Sequence, residues 1–280
     1  MVQRKDSQQN QSYKLSILIA QDGLSFCSLN TEENTIEDFY STTFSKLLDP
    51  EQILEELKRA IKFNLSEENL ADIKSVHVSY ANNLYSLVPQ EYFSEDQLTD
   101  YLKFNTKILK TDFIAYDELK NLEANCVYIP YTNINNYLFE QFGEFNYNHS
   151  STLFIETCLA EVKNINTEEV VFVQVQSSRF DICCFKNGKL LLANSFEYFT
   201  AEDFIYFVLF TAEQLKLNTE TLQLLLSGSI KETDDTYNYL YTYVKEISFF
   251  NTSYLTEKIN NLSQKAINPK QNLLLLSNLI

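Results

Sequence analysis

Glycine, histidine and clustered basic residues are scarce in this 280-residue sequence. Four glycines leave few places where the chain takes a positive φ freely or lets a ligand approach bare backbone. The two histidines, His77 and His149, have no cysteine or histidine partner at ligand spacing. They read as strand packing and loop exposure, and no metal centre is expected. No apolar run approaches the roughly 18 residues of a membrane span. The polar opening MVQRKDSQQNQS has no apolar segment behind it, which argues against secretion, and residues 1–12 read as a disordered leader. Five cysteines (Cys27, Cys126, Cys158, Cys183, Cys184) make no C-x-x-C pair. Their odd count, with two adjacent in one strand, fits reduced thiols in a cytoplasm; a vicinal disulfide at Cys183-Cys184 would be unusual. Ser177 and Ser178 lack a G-x-S-x-G setting, so a nucleophile elbow is unsupported. Lysine and arginine form no cluster of five or more, and a net charge of -16 weighs against nucleic acid or an anionic membrane as a direct partner.

What is present is apolar and aromatic. Hydrophobic residues make up 45% of the chain, with 21 Phe and 18 Tyr, enough for a large core in one or two domains. Residues 13–20 alternate apolar and polar, Asp22-Gly23 is a two-residue hairpin signal, and 24–29 and 35–43 read as the next strands. Asp49-Pro50 opens a helix to about residue 64 with Ile53, Leu54, Leu57 and Ile61 on one face. Strands follow at 73–80 and 84–88, then a helix from Ser94, boxed with Gln97, to about residue 105. Strands at 111–116 and 126–129 lead to a helix over 132–142 that stops near Gly143. Residues 150–162 read equally as strand, helix, or one passing into the other.

The most informative stretch is residues 170–199: a strand, a polar turn, a second strand, an Asn187-Gly188 hairpin and a third strand. A helix then opens with a Thr200-x-x-Asp203 capping box, and 221–226 is a buried strand. A tyrosine-rich helix over 234–245 carries Tyr237, Tyr239, Tyr241 and Tyr243, which serve core packing or a protein-binding surface. The leucine-rich end, 272–280, reads as a buried last helix or strand, with a terminal docking segment as the alternative. The acidic pairs Glu32-Glu33, Glu67-Glu68 and Asp234-Asp235 sit at helix starts or loops, as a solvated face or dipole partners. The order of elements in 13–80 recurs in 170–227, which suggests an internal duplication with a cleft between its halves.

A duplicated three-strand, helix, strand unit resembles the actin, sugar kinase and heat-shock chaperone superfamily. Within it the chain is similar to a Bacteroidetes family, a domain of unknown function with an actin-like ATPase fold. The features that carry this are VVFVQVQSSRFDICCF, FKNGKL, SFEY and LLLSGS, which also resemble the second-domain half of the pilus-assembly and cell-division actin homologues. The resemblance implies an α/β fold of two actin-like (ribonuclease H-like) domains, each a mixed sheet flanked by helices, over residues 13–150 and 151–280.

ATP-hydrolysing members of that superfamily place an Asp-x-Gly turn in each half, where glycine clears space for phosphate and the acid holds Mg²⁺ or a water. At the second turn this chain has Gln174-Val175-Gln176, so neither the charge nor the space is kept. Asp22-Gly23 reads as an ordinary hairpin turn, the alternative being that Asp22 survives as a Mg²⁺ or water-positioning acid. The adenosine-side Gly-Gly is reduced to Gly228 in Ser227-Gly228-Ser229, a strand-to-loop turn that could still cradle a nucleoside. Gln174, Gln176, Ser177, Ser227 and Gly228 therefore outline a degenerate nucleotide cleft, with no catalytic residue and no cofactor expected.

The expectation is a cytoplasmic, non-catalytic scaffold or adaptor with an unknown protein partner and an open oligomeric state. Two alternatives stand beside it. One is an ATPase or kinase using ATP and Mg²⁺ with relocated acids, of which Asp22, Asp181 and Glu156 are the first to test. The other is a pilus-assembly-like adaptor at the inner membrane.

Overall fold

The structure, a computed structural model, describes residues 12–104 and 106–280. The leader read over residues 1–12 lies, apart from Ser12, outside the described residues.

Strands β1 (Tyr13–Ala20), β2 (Gly23–Asn30) and β3 (Thr35–Thr43) form an antiparallel meander. Helices α1 (Pro50–Asn64) and α2 (Glu67–Ala71) then return the chain to β4 (Ile73–Ala81), which lies parallel to β1. An insertion follows: β5 (Tyr85–Pro89), α3 (Leu98–Leu102), β6 (Ala115–Leu119) and β7 (Ala124–Tyr128), forming a separate antiparallel sheet in the order β5-β7-β6. Helix α4 (Thr132–Phe142) and β8 (Asn146–His149) complete the first sheet as β3-β2-β1-β4-β8. Helix α5 (Ser150–Glu161) crosses to the second half.

There the pattern repeats. Strands β9 (Glu169–Val175), β10 (Arg179–Lys186) and β11 (Lys189–Glu197) form a meander, followed by α6 (Ala201–Gln214) and β12 (Gln223–Gly228), parallel to β9. Helix α7 (Asp235–Tyr243) and β13 (Glu246–Phe249) close the second sheet as β11-β10-β9-β12-β13. Helices α8 (Ser253–Lys258) and α9 (Leu273–Ser277) end the chain. The two five-stranded sheets thus share order and direction, the duplication that the element pattern suggested.

Local chemistry explains the elements that position the cleft. Asp49 accepts from the Gln52 amide while the Gln52 side chain accepts from the Asp49 amide, and Pro50 takes the first helical turn, so α1 starts where its free N–H groups are satisfied. Its residues Ile53, Leu57 and Ile61, one turn apart, are buried. Thr200 and Asp203 box the start of α6 in the same way. Asn187 (φ 52°) and Gly188 (φ 73°) supply the paired positive φ of a tight hairpin. Strand β10 is buried on both faces: Cys183 belongs to the core shared with β1, β4 and α5, and Cys184 to the core under α6. All five cysteines are free and buried.

The chain end returns to the first sheet. Leu273, Leu274, Leu275 and Leu276 are buried, and the Ser16 hydroxyl of β1 donates to the Leu275 carbonyl at 2.7 Å. On the way, the Asn261 carboxamide accepts from the Ile36 amide (2.7 Å) and donates to the Ile36 carbonyl (2.8 Å). It occupies the free edge of β3 as a neighbouring strand would.

Four expectations need correction, and one left open is resolved. The tight turn between β1 and β2 is Gln21-Asp22; Gly23 belongs to β2, where a Cβ would stand 2.8 Å from the Thr42 carbonyl oxygen. Ser94 makes no side-chain cap; its amide donates to the Tyr101 hydroxyl, and a 3-10 turn, Glu95–Gln97, precedes the short α3. The expected end of that helix, residue 105, lies outside the described residues. The strand read at 111–116 begins only at Ala115, and residues 150–161 are helix. Finally, His149 is not loop-exposed. It ends β8, a strand whose polar sequence NYNH gave no apolar alternation, and is fully buried.

Candidate functional site

The carboxyl ends of β1 and β9 and their turns meet between the two sheets. Asp22, on the first turn, is only 7% exposed; its carboxylate accepts from both the amide (3.1 Å) and the hydroxyl (2.9 Å) of Ser178 on the second turn. The second turn is fixed from its own side: the Gln176 amide donates to the Arg179 carbonyl at 2.8 Å, and the Tyr198 hydroxyl donates to the Gln176 carbonyl at 2.6 Å. Two further contacts tie the halves together: Asn83 Nδ2 to Glu197 Oε1 at 2.9 Å, and the Tyr85 and Ser195 hydroxyls 3.0 Å apart.

Around these turns the structure leaves little space. A cavity of about 100 Å³ is lined by Asp22, Gln174, Gln176, Ser177 and Ser229, and by Gln271 and Asn272 of the returning chain end. A second, of about 30 Å³, lies beside Asn82, Ser178 and Arg179, room for about one water. Ligand clefts usually measure roughly 300–1,000 Å³.

Of the residues singled out in the sequence, Gln174, Gln176 and Ser177 line the larger cavity. Ser227 stands behind it, buried, with its hydroxyl donating to Gln174 Oε1. Gly228 belongs to the wall. Its φ is +85°, its amide donates to the Lys270 carbonyl at 2.8 Å, and a Cβ there would fall 2.0 Å from the Val175 carbonyl oxygen. The next amide, Ser229, donates to that same oxygen at 2.7 Å. Glycine is thus required for strand-to-strand contact at the point where the superfamily uses it for nucleoside.

The three acids proposed for relocated catalysis do not converge. Asp22 is engaged by Ser178. Asp181, on β10, is buried with both oxygens 3.1 Å from Arg179 Nη2 and accepts from the Ser195 hydroxyl. Glu156 lies on the outer face of α5. No group of three or more His, Cys, Asp or Glu side chains suited to a metal occurs among the described residues.

Sequence reasoning missed Asn82, His149, Gln271 and Asn272, which reach the cleft region from distant parts of the chain. His149 Nδ1 accepts from the Ser151 amide at 3.1 Å, capping α5, so the neutral ring carries its proton on Nε2 and donates to the Asn82 carbonyl at 3.1 Å. Burial, aided by the nearby Arg179 charge, lowers its pKa to about 3. Burial likewise raises Asp117, although its carboxylate accepts from the Thr152 hydroxyl (2.7 Å), the His149 amide (2.8 Å) and the Tyr128 hydroxyl (3.0 Å). The tyrosines of α7 divide: Tyr237 and Tyr239 pack against the core, while Tyr241 and Tyr243 are exposed.

Comparison with known proteins places this geometry. A family model described as "Protein of unknown function (DUF3822)" matches residues 2–247. No curated protein matches the chain. A solved Bacteroides thetaiotaomicron VPI-5482 protein with actin-like ATPase fold and unknown function is 26% identical, covers 95% of this chain and 98% of its own, and superposes with a TM-score of 0.71. The PilM-PilN type IV pilus biogenesis complex is 10% identical over 95% and 97% of the two chains, with a TM-score of 0.59, a likeness of fold alone. The fold is the α/β, actin-like one that the resemblance implied.

Proposed function

The chain belongs to the family of proteins of unknown function designated DUF3822, and from that premise we propose that it is a non-catalytic scaffold or adaptor with a degenerate nucleotide cleft. The observation that carries this reading is the Asp22–Ser178 contact. The acid that would serve Mg²⁺ in the first turn is spent on the backbone and side chain of the second. Three further features of the cleft agree with it. Gln174 bonds Ser227 where a carboxylate would be needed, Gly228 touches Val175, and about 100 Å³ does not admit a nucleoside triphosphate. The residues present do not fit Mg·ATP.

We place the protein in the cytoplasm with a protein partner and no direct nucleic-acid contact, on the strength of reduced, buried thiols and a net charge of -16. Among the described residues no helix is long and apolar enough to cross a membrane. The likeness to the PilM-PilN complex favours a second reading, an adaptor at the inner membrane that acts through a partner protein. The leucine-rich end does not reach lipid in that reading, since its leucines are buried against β1 and β2.

Titration calorimetry of the purified protein with Mg·ATP, with thermal shift alongside, tests the cleft. The expected result is no heat and no shift at millimolar nucleotide. Binding at micromolar concentration would overturn the degenerate-cleft reading and make hydrolysis the next assay.

A further inference from the structure

The face of α5 turned away from the core is a helical stripe. Leu153, Glu156, Thr157, Ala160 and Glu161 recur at steps of three and four, while Phe154, Ile155 and Cys158 behind them are buried. With Asn164 the stripe runs about 16 Å, or three helical turns. It forms one wall of a groove of about 450 Å³ whose other wall is Phe250, Tyr254 and Ser277. That volume lies in the range of real binding clefts, unlike the space at the turns. The apolar surface of the groove comes from the half-buried Leu153 and Tyr254, backed by the buried Phe250, and the small side chains of Ala160 and Ser277 leave room for another backbone.

The charge in the groove has one sign. Glu156 and Glu161 stand beside it, no lysine or arginine lines it, and neither glutamate enters a salt bridge among the described residues. Desolvation raises the pKa of both carboxyls, outweighing the lowering effect of the Lys120 charge on Glu156 and of the Asn164 side chain on Glu161, and a further cation in the groove would relieve it.

We propose that this groove docks an amphipathic helix of a partner protein, its apolar stripe on Leu153 and Tyr254 and its lysines or arginines against Glu156 and Glu161. A helix laid in an apolar groove and held in register by charges beside it is a recurring mode of peptide recognition. The inference rests on the adaptor reading, for which it supplies the partner's chemistry. Helix α9 separates the two sites: Leu274 and Leu275 face the closed cleft and Ser277 the groove.

The test uses the full chain and a fluorescein-labelled leucine/lysine amphipathic helical peptide of about 18 residues, read by anisotropy. We expect saturable binding that weakens about tenfold or more in the Glu156→Lys, Glu161→Lys double variant. The Glu32→Lys, Glu33→Lys variant makes the same change of net charge on an exposed turn and should bind as the wild type does. Ala160→Trp, which fills the groove without altering charge, should also weaken binding. The proposal is overturned by absence of saturable binding, by equal weakening in both charge variants, or by full displacement with spermidine, which would make the occupant a simple amine. Nucleotide binding in the calorimetric experiment would retire the degenerate cleft and leave this groove standing. Failure of the peptide would leave the cleft reading intact and remove its partner.

Discussion

His149 shows how one buried side chain ties stability to pH. Its neutral ring caps α5 and reaches Asn82, and burial holds its pKa near 3 against an ordinary value of 6.5. Between those values the unfolded chain binds a proton that the folded chain refuses, so stability falls as pH is lowered through that window. The loss attributable to this ring approaches about 1.4 kcal/mol per pH unit below pH 6.5. His149→Asn keeps a capping acceptor and removes the titration. Urea unfolding from pH 7 to pH 4.5 should show a steeper decline for the wild type than for the variant, and parallel declines would refute the assignment. Nothing local in the sequence announces this residue, because the groups against its ring, Asn82 and the side chain of Tyr85, lie 67 and 64 positions away. Gln174 and Gln176, by contrast, could be placed beside the cavity from the sequence, because they sit at the end of a plainly apolar strand.

At the scale of elements, what was legible is what is locally determined. The starts of α1 and α6 and the Asn187-Gly188 hairpin each depend on side chains within a few residues, and each stands where the sequence put it. The capping box at Ser94 had the same spelling and failed, because Tyr101 took the Ser94 amide. Strand β8 was missed because β4 makes it a strand by pairing, and its own residues do not. Gly228 is the element-scale hinge of the second sheet. Gly228→Ala must place a methyl group on the Val175 carbonyl at positive φ, and should cost more than about 3 kcal/mol in urea unfolding. Gly188→Ala, at φ +73° with open space around it, should cost only about 1–2 kcal/mol. Similar losses at the two sites would mean that β12 does not depend on its contact with β9.

The whole molecule is two copies of one topology facing each other across a cleft that its own turns close. The duplication was readable from the recurrence of element types alone. The closure was not, because Asp22 and Ser178 are 156 positions apart and neither is unusual where it stands. Asp22→Ala leaves the Ser178 amide and hydroxyl without their acceptor, a loss of about 1–3 kcal/mol. Hydrogen exchange should accelerate in both turns, at residues 21–23 and 176–178, and Asp22→Asn, which keeps an acceptor oxygen, should restore most of the protection. Unchanged exchange in the alanine variant would show that the halves are held by other contacts.

The bond from Ser16 to Leu275 also sets a timetable for biosynthesis. Strand β1 is made 259 positions ahead of the α9 residue that its Ser16 hydroxyl meets. At about 5–20 residues per second, a ribosome needs on the order of tens of seconds to cross that interval. Throughout it the first half carries an uncovered apolar face, so that half of the molecule cannot complete its fold until the residues of α9 have been made.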